Sequence, residues 1–232
     1  MAEDNTRRMP NERPTAIVYI DGLNLDRQLL DRYPEYKWLD LVKLCQLLLP
    51  SYQVKQINYY TSRLRSIRPN SRAPDNQDAY LFALQSLVPT LNITFGKIIS
   101  RDKLYPQVPL RIDYLGDPVL AKVRVTQEKG SDVALASQMV FDAMRSLAEL
   151  YVLVSNDSDF EPTLRLIHSH VNAKLAILSP SHKPSPSLLF SKELVVRTIR
   201  DSVLAASQLP DVVVVGGNRV SRPSDWLKSR TP

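Results

Sequence analysis

Apolar positions along the chain fall into short continuous runs separated by stretches of helical spacing. The run TAIVYI at 15–20 is rich in β-branched residues and stops at Asp21 and Gly22, the pattern of a strand buried on both faces. Helical spacing follows over 23–31 and over 39–49, the second stretch closed by Pro50, and 54–60 is predicted as the next strand. A polar loop at 61–74 leads to a predicted helix over 75–88 and a third strand over 93–99. The segments 110–115 and 119–126 flank Gly116, Asp117 and Pro118, which predicts a β-hairpin arm. A long amphipathic helix is predicted over 131–147, with Val133, Leu135, Met139 and Met144 among the side chains available to a core. YVLV at 151–154 is another buried strand, 160–171 a helix and 173–178 a further strand. After the prolines at 180, 184 and 186, a last short strand is predicted at 195–199 and a short helix at 201–208. VVVV at 212–215 suits an edge strand, and Trp226 suits docking on the body or on a partner.

Strands alternating with helices call for a mainly parallel sheet covered on both faces, an α/β fold in one domain over 15–209. Residues 1–14 are polar, with Pro10 and Pro14, and predict a flexible tail; 210–232 form a C-terminal extension. Of the 232 residues 44% are hydrophobic and 23% charged, enough apolar surface for a sizeable core. The lone Cys45 rules out an internal disulfide framework and a cysteine-based zinc site, and a cytoplasmic setting is expected. No apolar run approaches the roughly 20 residues of a bilayer span, so no membrane partner is expected. The 30 Lys and Arg outnumber the 24 Asp and Glu, and the net charge of +6 favours a polyanionic partner.

In open parallel sheets ligands bind beyond the carboxyl ends of the strands, and acidic residues gather there. The first strand exits into Asp21, with Asn24 close behind; YVLV exits through Ser155 and Asn156 into Asp157 and Asp159; Asp132 opens the long helix after Lys129 and Gly130. Asp21 or Asp132 alone reads as a turn or helix-cap residue. Asp157 and Asp159 together place two carboxylates within one turn, which repulsion makes costly without a cation, and hard oxygen donors point to Mg²⁺ or Mn²⁺. A dehalogenase-type phosphatase is set aside because Leu23 stands where its second carboxylate belongs, and the partner motifs argue against a DxD glycosyltransferase. His168 and His170, two apart on a helix, do not form a paired ligand site.

The segments YIDGLNL at 19–25, EKGSDVALASQMV at 128–140 and LVSNDSDFEPTLR at 153–165 resemble the three signature segments of NYN domains of the LabA-like branch, in the PIN-like nuclease superfamily. The resemblance spans most of 15–200. It implies a PIN-like α/β sandwich, an acidic pocket and Mg²⁺- or Mn²⁺-dependent ribonuclease chemistry, with products bearing a 5′-phosphate and a 3′-hydroxyl. Asp21, Asp132, Asp157 and Asp159 match the acidic positions and Asn24 the polar residue that supports them. Asn156 stands where the family usually has glycine, and Asn tolerates a left-handed turn. The arm has no cysteines, so the zinc-binding insertion of some relatives is absent.

Arg63, Arg65, Arg68 and Arg72 follow the second strand, and Lys97, Arg101 and Lys103 end or follow the third. They form either a solvated loop or a rim that holds phosphates without reading bases. Arg63, Arg65, Arg68 and Lys129 are the candidate substrate-binding cations, while Tyr59, Tyr60 and Tyr105 are placed to stack on bases, with at least one of the first two in the core. The expected function is hydrolysis of phosphodiester bonds in single-stranded or unpaired RNA by metal-activated water. Asp21, Asp132 and Asp157 are the expected ligands, and Asp159 a ligand or water-orienting group. The competing class is a catalytically weak or inactive module that binds RNA or a protein, and the C-terminal extension is a further place for a protein partner or a second copy of the chain.

Overall fold

The computed structural model describes residues 13–65 and 71–227. Strands β1 (Thr15–Asp21), β2 (Gln53–Ser62), β3 (Leu91–Pro106), β4 (Leu120–Lys129), β5 (Leu150–Val154), β6 (Lys174–Ser179) and β7 (Val195–Thr198) form one sheet in the order β4-β3-β2-β1-β5-β6-β7. Every neighbouring pair is parallel except β3–β4. The chain builds outward from β1 through β2 to β4 and then crosses to β5 on the other side of β1. The β1–β5 boundary is therefore the switch point, where the carboxyl ends of parallel strands leave a crevice.

The continuous apolar run of β1 has the physical cause read from the sequence, because both faces of the strand are covered. Ala16, Val18 and Ile20 pack with α2 (Leu41–Leu48), α3 (Ala73–Leu87) and α6 (Asp201–Ala206), while Ile17 and Tyr19 pack with α4 (Ser131–Met144) and α5 (Glu161–His170). Each of the larger aliphatic side chains among them, fully buried, contributes about 1.5–3 kcal/mol by leaving water. Within α4 the buried apolar stripe is Leu135, Met139 and Ala143, with Ser131 and Asp142 buried beside it; Val133 and Met144 point to solvent, against expectation, because the helix offers one face to the sheet. Cys45 is buried in α2.

The arm differs from the expected hairpin at 110–126. β3 does not end near residue 99 but runs on to Pro106, and Lys97–Pro106 pairs with Leu120–Lys129. Most of this ribbon is exposed on both faces, so its residues carry no alternation of burial to mark its length. The VVVV segment pairs away from the main sheet, as β8 (Val212–Val215) with β9 (Asn218–Ser221). Trp226 packs on the body, with ring centroids 6.3 Å from Trp38 and 6.0 Å from Tyr80. Among the described residues no helix is long and apolar enough to cross a membrane.

Candidate active site

Asp21 ends β1 and caps α1 (Gly22–Gln28), its Oδ1 accepting the Asn24 amide at 3.0 Å. Ile20 is paired with Val154, so Asp21 lies level with Ser155, whose hydroxyl donates to Asp21 Oδ2 at 3.0 Å. Asp21 is thus a helix cap, and the same side chain lies in the lining of the cleft described below. The side chain is only 5% exposed, and burial pushes its carboxyl up to about 6. The charges of Asp132 and Asp157 push the same way, while the Asn24 amide and Ser155 hydroxyl oppose them.

Beyond β5, Asp157 caps the short helical turn Ser158–Phe160, its Oδ1 accepting the Asp159 amide at 3.0 Å. That turn winds Asp159 outward, leaving it exposed. Asn156 needs no left-handed backbone: among the described non-glycine residues only Ser146 has positive φ. Instead Asn156 organises the exit loop. Its amide donates to Asn24 Oδ1 at 3.0 Å, and its own Oδ1 accepts the Ser185 amide at 2.7 Å.

Asp132 enters from the first turn of α4, where the helix dipole favours a carboxylate. Gly130 precedes the helix at φ 99°, a conformation that favours glycine. Glu128 caps α4 from upstream, accepting from the Ser131 amide at 3.0 Å and its hydroxyl at 2.7 Å. Burial raises the Asp132 carboxyl, and the charges of Glu128, Asp157 and Asp159 add to this against the Ser131 hydroxyl. The carboxylates thus feel one another across the crevice.

Asp21, Asn24, Asp132, Asp157 and Lys129 line one cleft of about 460 Å³, together with Arg27, Gln28 and Glu128. Asp159 is not part of its lining. Nor are Arg63 and Arg65: Arg63 is held by Asp78, with its guanidinium 4.5 Å from the Phe95 ring centroid. Arg68 lies outside the described residues. Tyr59 and Tyr60 are both buried, so neither ring is available to a base; Tyr105 is exposed. The sequence reading missed Arg27 and Glu128. Arg27 shares a helix face with Asn24 at i+3, and the E-x-x-S spacing of Glu128 and Ser131 is the span that lets a carboxylate reach the first amides of a helix.

A hard divalent cation fits the chemistry of this donor set, which offers carboxylate oxygens and no thiol or imidazole. Among the described residues no three acidic, His or Cys side chains already stand close enough to form a closed shell. Mg²⁺ commonly keeps several waters and takes only one or two carboxylates beside the phosphates of its substrate, and an open acidic cleft suits that mode.

A mainly parallel sheet flanked by helices, with an acidic cleft at its switch point, is consistent with a PIN-like α/β protein. The profile of the NYN domain family matches residues 15–194, and the chain belongs to that family, within the PIN-like nuclease superfamily. It is 28% identical over 252 aligned positions to the 6-hydroxy-3-succinoylpyridine 3-monooxygenase HspA of Pseudomonas putida (strain DSM 28022 / S16), an alignment covering 95% of this chain and 78% of that protein. A crystal structure of a protein of unknown function from Vibrio parahaemolyticus RIMD 2210633 superposes with a TM-score of 0.48 at 16% identity, covering 84% of this chain and 98% of the other.

Proposed function

We propose that the chain is a metal-dependent ribonuclease of the LabA-like branch of NYN domains, hydrolysing phosphodiester bonds of unpaired RNA in the cytoplasm. The observation that carries the reading is the convergence of Asp21, Asp132 and Asp157, from three separate stretches of chain, on one cleft at the carboxyl edge of the sheet. These three would hold Mg²⁺ or Mn²⁺, directly or through water. A cation held there would stabilise the negative charge developing on the phosphoryl oxygens and lower the pKa of bound water. Asn24 positions the site by tying α1 to the loop that carries Asp157. Lys129 and Arg27 bring positive charge to the cleft wall and would orient the substrate phosphate. Asp159, at the rim, adds negative charge without facing the cleft.

Asp21→Asn and Asp157→Asn should each lower Mg²⁺- or Mn²⁺-dependent cleavage of an unstructured RNA by about 10²–10⁴-fold. Circular dichroism should be unchanged, since Asn remains a good cap at both positions. Asp159→Asn should lose less. Single-stranded and duplex DNA serve as competing substrates in the same assay. Metal-independent cleavage, or equal activity in wild type and Asp157→Asn, would overturn the reading. Oxygen uptake on 6-hydroxy-3-succinoylpyridine, without cleavage of RNA, would replace it with the chemistry in the relative's name.

A further inference from the structure

The ribbon formed by β3 and β4 has two electrically different faces. Residues directly opposite in an antiparallel pair share a face, and alternate residues along each strand change face. The register Lys97↔Lys129, Arg101↔Val125, Lys103↔Val123 and Tyr105↔Ala121 therefore gathers four cations and a tyrosine on one face. The pair between them, Ile99↔Gln127, adds no carboxylate. The other face holds both carboxylates of the paired segments, Asp102 and Glu128. There Asp102 pairs with Arg124 at 2.8 Å and Lys122 at 3.5 Å, and Glu128 caps α4. One face is internally neutralised and the other is not.

Lys97, Arg101, Lys103 and Lys129 are all exposed, and none has an ion-pair partner among the described residues. Lys97 and Lys129 face each other directly across the strands, an arrangement that is destabilising without an anion between them. Lys129 is also part of the cleft wall, so the cationic face begins at the site. At about 3.4 Å per residue, Arg101 lies about 14 Å, Lys103 about 20 Å and Tyr105 about 27 Å beyond Lys97. Stacked nucleotides at about 3.4 Å each would number about eight over that length.

We propose that this face of the arm is a track for single-stranded RNA entering the cleft, gripped through its phosphates without base readout. The proposal rests on the nuclease reading of the cleft. Tyr105, 44% exposed at the far end, presents a ring on which an unpaired base can stack. Duplex RNA is a poorer occupant, because its bases are paired and stacked within the helix and leave no free face for the Tyr105 ring.

The test uses the full chain, with binding of a fluorescent 15-nucleotide RNA of low structure measured in EDTA over a salt series. Lys97→Ala/Arg101→Ala/Lys103→Ala should weaken binding about 10–100-fold at low salt and flatten the log–log salt slope by about 2, at roughly 0.7 per lost contact. Lys43→Ala/Lys192→Ala/Arg219→Ala removes the same charge from exposed positions off the arm and should leave both quantities close to wild type. A single Lys103→Glu, far from the cleft, should weaken binding in the same direction. Wild-type affinity and slope in the arm variant, or equal losses in the arm and control variants, would overturn the track. Cleavage separates the two readings. With the nuclease reading sound and the track correct, Arg101→Ala/Lys103→Ala, which keeps Lys97 beside the cleft, loses efficiency on the 15-mer but not on a trinucleotide too short to reach Arg101. If wild type cleaves neither, the nuclease reading fails while the binding contrast still decides the track.

Discussion

Asp21 caps a helix and lines the acidic cleft with the same side chain. Its folded carboxyl titrates near 6 against about 3.8 in the unfolded chain, so the native state holds the proton more tightly in that window. Stability of the metal-free protein should therefore fall as pH rises from about 4 to about 6, the contribution being lost above the folded pKa. Asp21→Asn should remove this part of the pH dependence and, in EDTA at pH 7.5, stabilise the protein by on the order of 1–3 kcal/mol. Thermal melts at pH 4.5 and 7.5 measure both effects. A wild-type protein that gains stability over that interval relative to Asp21→Asn would contradict the assignment. At this scale the three cleft aspartates were legible because each follows a strand exit or opens a helix. Asp159 was set apart from Asp157 in role, as a ligand or water-orienting group, but the capping bond from its amide to Asp157 is what shows which carboxylate the turn directs outward.

At the scale of elements, the junction of β3, β4 and α4 depends on a close approach that one glycine permits. A Cβ on Gly96 would stand 1.6 Å from Glu128 Oε1 and 2.7 Å from its Cδ. Gly96→Ala should therefore displace the Glu128 carboxylate from the Ser131 amide, at a cost of about 0.5–2 kcal/mol, the range for loss of a helix cap. Chemical denaturation should show that cost in the wild-type background and much less of it once Glu128→Ala is present. Additive losses would mean that Gly96 matters for another reason. The helices and buried strands were close to their predicted bounds because burial imposes period and composition on them. The ribbon was misjudged because an element exposed on both faces is not so constrained.

For the whole molecule, the segment after Leu209 completes the core. Trp38 is fully buried under Tyr80 and Trp226, and its Nε1 donates to the Pro210 carbonyl at 2.8 Å; Val213 is buried in the same cluster. Truncation after Leu209 should uncover Trp38 and cost about 3–5 kcal/mol, comparable to loss of a large core side chain. That corresponds to a fall in Tm of roughly 6–20 °C, measurable by calorimetry. An unchanged Tm would show that the segment only rests on the surface. The NYN profile itself stops at Leu194, so this cover belongs to the part of the chain beyond it.

The sequence alone determined the α/β class, the strand exits at Asp21 and Asp157 and the helix start at Asp132, because hydrophobic period and turn chemistry are local properties. Which of those exits meet is a matter of strand order. The neighbours of β1 are set by packing among elements distant in sequence, and no local pattern specifies them. The tertiary structure also decided that Arg63 is spent on Asp78 and Phe95, that Asp159 leaves the cleft, and that Arg27 and Glu128 enter it. Side-chain direction at a site is fixed by the register and caps of the elements carrying it, and those follow from long-range contacts.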